Sequence, residues 1–236
     1  MNNKNYVLTT VFFLLLCTSS LFAVEIKYNF SKGAVYSYNY SRQDSSTVNA
    51  PVIGKKSNSN SQSLDFIIKS VGFRDNAFIL DIGNREATYR RYISSNGDII
   101  GSPAEDRDTF PFFFIFPDVD WNVGKTFTKT TEVSTFGKIV PVVWNFTLTG
   151  IDSTRNLADI GFEAKFKIAN DDRLYSKTMT LSGKLIFNLS EGVIHQATWK
   201  SNYGAKQICK ERTITRDLWS FEKQSTHILR MTGVER

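Results

Sequence analysis

Apolar residues at every second position constrain this chain more than any other feature. Between Leu157 and Ile168, the residues Ala158, Ile160, Phe162, Ala164, Phe166 and Ile168 are apolar, and Asp159, Gly161, Glu163, Lys165 and Lys167 separate them. Side chains of a strand point alternately to opposite faces, so this pattern predicts one dry face and one wet face. Met179, Leu181, Leu185, Phe187 and Leu189 repeat it against Thr178, Thr180, Ser182, Lys184 and Asn188, with Ile186 as the exception on the polar side. Ser190-Glu191-Gly192 then turns the chain back, with Gly suited to a left-handed last position. The register that follows sets Leu189 against Val193, Phe187 against His195, Leu185 against Ala197 and Gly183 against Trp199. A glycine opposite an indole is a pairing that sheets use to cover the glycine. In this register His195 faces inward.

Similar alternation recurs along most of the chain. Tyr36, Tyr38 and Tyr40 follow Gly33, and Leu64, Phe66 and Ile68 are answered by Phe78, Leu80 and Ile82 across a turn at 72–76. Thr88 to Ser94 leads through Asn96-Gly97, a hairpin signal, into Asp98-Ile99-Ile100. Trp144, Phe146 and Leu148 lead through Asp152 to Asn156 into the strand at 157–169, and 207–231 reads as two final strands. Helical periodicity is nearly absent, with only Ala104 to Asp108 fit for a brief turn. Residues 41–63, rich in Ser and Asn, read as a long exposed loop. The expectation is an all-β chain: a strongly curved antiparallel meander sheet or barrel of about ten strands. No composition break divides residues 24–236, which read as a single β domain.

The first 23 residues read as a secretory signal forming a short helix. Lys4 supplies the positive start, Tyr6 to Leu16 the apolar run, and Ala23 the small residue at the exit. The run is shorter than the roughly 20 apolar residues that span a bilayer. Cleavage after Ala23 gives a soluble exported protein. In the alternative, Leu14-Leu15-Leu16-Cys17 resembles a bacterial lipoprotein signal in which Cys17 is acylated, although Leu16 stands where that family has a small residue. Both fates place the working chain outside the cytoplasm, in the periplasm or cell envelope or secreted beyond it. With Cys17 in the signal, Cys209 has no partner, so a disulfide scaffold is excluded. A net charge of +6 favours weak attraction to anionic surfaces. It is not the concentrated patch that nucleic acid requires, and Lys200, Lys206, Lys210, Arg212 and Arg216 read as a solvated sheet face.

No constellation of catalytic residues stands out, and the expectation is a non-enzyme. His195 and His227 lack a second His, Cys or carboxylate at metal-ligand spacing, so no metal site is read. The glycines make no dinucleotide or phosphate loop and no nucleophile elbow, and no cofactor is implied. Asp171-Asp172 suits a turn. Cys209 reads as a small apolar filler or an exposed thiol.

The most unusual local feature is Phe110-Pro111-Phe112-Phe113-Phe114-Ile115-Phe116-Pro117. Such a run cannot be a half-solvated strand. Either it crosses the core, covered on both sides, or it presents an apolar surface to a ligand, partner or membrane. Gly33 to Tyr40, Pro117 to Phe127 and the Gly183–Gly192 hairpin resemble pieces of uncharacterised exported bacterial β-proteins of the lipoprotein-like kind. The inferred architecture is similar to periplasmic lipoprotein-carrier half-barrels, and that resemblance implies an apolar concavity for acyl chains. On this reading the chain is a non-enzymatic envelope protein that takes a lipid or other hydrophobic small molecule. Phe112, Phe113, Phe114, Phe116 and Trp121 would sit near the cavity mouth, with Phe162, Phe166, Phe187 and Trp199 lining the inside. A membrane surface is a further candidate partner, nucleic acid is not, and no oligomeric state is read. The alternative is a structural or interaction module with a packed core and no ligand, anchored through Cys17 if that residue is acylated.

Overall fold

The computed structural model describes residues 23–84, 87–101, 113–135, 138–166, 168, 175–211 and 214–236. The signal segment with Cys17, the Ala104–Asp108 turn, Phe110 to Phe112 and Asp171-Asp172 lie outside the described residues, as do the side chains of Cys209, Lys210, Arg212 and Arg216. Among the described residues all regular structure is β. The strands are β1 (Val24–Glu25), β2 (Val35–Ala50), β3 (Gly54–Arg74), β4 (Ala77–Gly83), β5 (Thr88–Ser94), β6 (Asp120–Trp121), β7 (Thr126–Thr135), β8 (Lys138–Asp152), β9 (Leu157–Phe166), β10 (Tyr175–Asn188), β11 (Val193–Glu211) and β12 (Ile214–Glu235).

Ten of them form one antiparallel sheet in the order β5-β4-β3-β2-β12-β11-β10-β9-β8-β7. Two meanders, β2 to β5 and β7 to β12, are therefore joined where β2 pairs with β12, from Val35↔Glu235 to Asn49↔Ser220. The expected antiparallel meander sheet of about ten strands is thus present, built as two meanders side by side. The sheet is open, with β5 and β7 at its edges, and is not closed into a barrel. Local hairpin signals dictate neighbours within each meander, but the β2–β12 pairing depends on chain ends far apart in sequence.

The period-two pattern maps onto the sheet as read. In β9 and β10 the buried positions are Ala158, Ile160, Phe162, Ala164, Leu181, Leu185 and Phe187. Gly183 does pair with Trp199, and a Cβ there would come within 2.3 Å of the Thr198 carbonyl oxygen and 2.6 Å of Trp199 Cβ. Only glycine fits that approach. Leu185 pairs with Ala197, but a bulge after Ile186 sets Phe187 against Ile194 and Asn188 against Val193. His195 is thus the extra residue of the bulge and is half-buried, which corrects its expected place opposite Phe187. Asp98 to Ile100 makes a single bridge, Ile93↔Ile99, rather than a strand.

Residues 41–63 are exposed for the most part but are not a loop. They form the outer half of the β2–β3 hairpin, paired in unbroken register from Ser41↔Ser63 to Ala50↔Gly54. Side-chain bonds such as Thr47 Oγ1 to Ser57 Oγ at 3.1 Å reinforce it. All of 51–63 faces water on both sides, so no buried face exists to impose alternation on the sequence.

Among the described residues no helix covers the buried face of the sheet. Two extended segments do so instead, residues 26–34 and 113–121, joined by the short β1–β6 pairing of Val24 with Trp121 and Glu25 with Asp120. Ile26, Tyr28, Phe30 and Ala34 of the first segment are buried, as are Phe113, Phe114, Phe116 and Trp121 of the second.

Candidate functional site

The apolar inside of the sheet is built around the 113–116 strap. Phe114 lies 4.7 Å from Phe162 and 6.0 Å from Trp199, ring centre to ring centre. Phe116 packs edge-on against Phe187 at 5.5 Å and against Trp121 at 6.1 Å. Phe113 meets Tyr28 at 5.7 Å. Edge-to-face rings at these distances contribute beyond the area they bury. Phe166, at the end of β9, is half-buried against the same core. Eight of the nine candidate lining residues therefore meet in one cluster, while Phe112 is outside the described residues.

Backbone N–H groups help to seat the strap. Phe114 N–H donates to Tyr28 Oη at 3.0 Å, and Phe116 N–H donates to the Asn96 carbonyl at 2.8 Å. Burial pushes the Tyr28 phenol far above its ordinary value, so it stays neutral as the acceptor. Beneath the strap lies Gly97, with φ +94°, where a Cβ would meet the Phe114 carbonyl oxygen at 2.3 Å and Tyr28 Cε2 at 2.8 Å. The Asn96-Gly97 pair is thus more than a turn signal: it brings the backbone against the strap. The Trp121 indole N–H, fully buried, finds no acceptor among the described residues.

Where the aromatic region ends, the inward face changes character. The inward row of β2 continues from Tyr40 to Arg42 and Asp44, and that of β12 runs back from Leu229 to His227, Ser225 and Lys223. His227 stacks on Trp199 at 4.8 Å with the rings nearly parallel. Its Nδ1 shares a hydrogen with Tyr40 Oη at 2.8 Å, and its Nε2 lies 3.0 Å from Ser201 Oγ. Asp44 holds Lys223 at 3.0 Å and Arg42 at 3.2 Å. Desolvation, reinforced by the nearby Arg42 and Lys223 charges, lowers the His227 pKa to about 4. The imidazole is therefore neutral at pH 7. Burial acts to raise the Asp44 carboxyl, but hydrogen bonds from Ser225 and Lys223 outweigh it and leave the value lowered.

Sequence reading overlooked this polar island. Its signal was present in the inward phase of Tyr36-Tyr38-Tyr40, which carries on to Arg42 and Asp44, but polar side chains there end the visible alternation. Ser201 and His227 could exchange a proton, yet the second imidazole nitrogen meets a phenol rather than a carboxylate, and both residues sit on paired strands. No group of three or more His, Cys, Asp or Glu able to hold a metal occurs among the described residues.

Two grooves open on the outer face. One, of about 430 Å³, is lined by polar residues including Thr47, Thr178, Thr180, Asn202 and Glu222. The other, of about 440 Å³, has Thr149, Asp159, Lys184, Ile186 and Thr198 in its walls. Charged side chains line both, Glu222 and Lys223 in the first and Asp159 and Lys184 in the second, where they stand beside Ile160, Leu185 and Ile186.

No family model matches the chain, and no curated protein matches it. Among solved structures the chain is similar to lipovitellin, in a structure concerned with lipid–protein interactions in that protein. The identity is 12% and the TM-score 0.40, with 88% of this chain and 26% of that chain covered. The chain spans about a quarter of that protein's length, and a likeness at this score carries no argument about either fold or function.

Proposed function

We propose that the chain is a non-enzymatic exported cell-envelope protein that binds a lipid or other hydrophobic ligand against the concave face of its sheet. The Phe113–Phe116 strap is the resident occupant, and an incoming apolar ligand displaces it. The observation that carries this reading is the way the concavity is filled. Phe162, Phe187 and Trp199 of the sheet are covered by aromatic rings of a segment that is not a strand of that sheet and whose Phe114 and Phe116 N–H groups bond Tyr28 and Asn96. Such a segment can leave while every ladder of the sheet stays intact. The Trp121 N–H offers a buried donor to a polar end of the ligand. A neutral His227 backed by Tyr40 supports a structural rather than a catalytic role for the polar island.

Complete burial of Phe114, Phe116 and Trp121 favours a second reading, a packed interaction module with no ligand. Native mass spectrometry of protein purified from its own envelope, with titration by a fluorescent fatty acid, separates the two. The carrier reading expects a retained apolar mass or saturable fatty-acid binding. A ligand-free mass together with no fatty-acid binding overturns it. The lipoprotein alternative expects palmitate incorporation that is lost in Cys17→Ala.

A further inference from the structure

At the end of the sheet farthest from the aromatic cluster, the β2–β3 hairpin closes on Pro51-Val52-Ile53. Val52 is 95% exposed and Ile53 50% exposed. Turns favour Gly, Asn, Asp and Ser, each for a conformational reason that Val and Ile do not share. The apolar apex also contributes nothing to the core, since Gly54 is ten residues from Leu64, the nearest core-packed position of β3, a reach of roughly 30 Å along a strand. Two large apolar side chains held out in water at the tip of a polar hairpin are unexplained by the fold.

Their surroundings name the occupant. Residues 45–63 contain two lysines, Lys55 and Lys56, and no acidic residue. Neither lysine makes an ion pair among the described residues. The register places more positive charge at the same level: the row Lys55–Asn49–Ser220–Lys206 crosses the outer face, and the row Lys56–Val48–Phe221–Ala205–Lys177 crosses the inner one. Lysines thus flank the apolar apex on both faces, with exposed Glu222 one row behind, and the β11–β12 hairpin beside it runs on past Ser220 with Lys210 and Arg216 as well as Glu211 and Asp217 in its sequence. Basic side chains around a protruding apolar tip match an anionic bilayer surface, where the apex enters the headgroup–acyl boundary and the ammonium groups meet lipid phosphates.

We propose that the Val52–Ile53 apex with Lys55 and Lys56 docks this protein on an anionic lipid bilayer. This surface is distinct from the concavity, so the proposal stands whether or not the inside binds a ligand.

Vesicle flotation of the full chain tests it, with Cys17→Ala in every arm so that acylation cannot contribute. The vesicles are phosphatidylcholine alone or phosphatidylcholine mixed with phosphatidylglycerol. Binding is expected to the mixed vesicles, weakening with added salt. It should fall about tenfold or more in Val52→Asp/Ile53→Asp and by a similar factor in Lys55→Glu/Lys56→Glu, since each lysine near an anionic surface is worth about 1 kcal/mol. Circular dichroism and thermal midpoint should stay at the parent values. Equal flotation of parent and both variants overturns the proposal, as does binding indifferent to phosphatidylglycerol. A parent that forms dimers, which the apex variants dissolve, overturns it too by assigning the apex to a second copy of the chain.

Discussion

His227 shows how one side chain ties the two halves of the inner face together. It stacks on Trp199 on the aromatic side and bonds Tyr40 and Ser201, while Arg42, Asp44 and Lys223 lie on the polar side. Its folded pKa of about 4 lies below the ordinary imidazole value of 6.5. Between those values the unfolded chain binds a proton that the folded chain refuses, so stability is full above pH 6.5 and falls as the pH drops toward 4. The loss is roughly 3 kcal/mol, one pKa unit being about 1.4 kcal/mol. Denaturant unfolding at pH 7 and pH 4 should show that loss in the parent chain, superimposed on any general acid effect. His227→Gln should lack it, and an equal pH dependence in both proteins would remove His227 from the account. Sequence reading at this scale succeeded where a contact is local and apolar, as at Gly183 against Trp199. It failed at Arg42, Asp44 and His227, because polar groups facing inward are recognisable only by the partners that satisfy them, and those partners lie on other strands.

Two elements depart most from what alternation alone conveys. The outer half of β2 and β3 is a true hairpin, yet its Ser and Asn residues gain nothing from facing one way rather than the other, so no period appears. The 113–121 strap is the reverse case: Phe113, Phe114 and Phe116 are apolar without alternation because both sides of the segment are covered. Composition therefore narrowed the segment to core crossing or an apolar surface, and the structure shows the first, but the seat of the strap on the Asn96-Gly97 turn left no sign in the sequence. Gly97→Ala tests that seat. The added methyl meets the Phe114 carbonyl in a backbone conformation that L-residues rarely adopt, a strain of about 1–3 kcal/mol. The variant should unfold at lower denaturant than the parent by that amount and quench Trp121 fluorescence more readily with acrylamide, as the strap lifts. Parent-like stability and quenching would mean that the strap does not rest on the turn.

Across the whole molecule, the ten-stranded sheet is a scaffold that needs both ends of the chain. The β2–β12 pairing unites the meanders, and the edge strands β5 and β7 carry Arg90, Arg91, Lys129 and Glu132, charges that discourage edge-to-edge association. Non-local pairing of this kind leaves no trace in hairpin signals, which is why the meander was legible in the sequence and the β2–β12 junction was not. On the proposed carrier reading, the inside changes occupant without any strand of this sheet unpairing. Amide hydrogen exchange with and without palmitate measures this directly. The account predicts that the Phe114 and Phe116 amides, protected in the free protein by Tyr28 and Asn96, lose protection as palmitate saturates, while the amides of Ile160 and Leu185 in the ladders keep theirs. Undiminished protection at Phe114 and Phe116 with palmitate bound, or no response at any palmitate concentration, would contradict it.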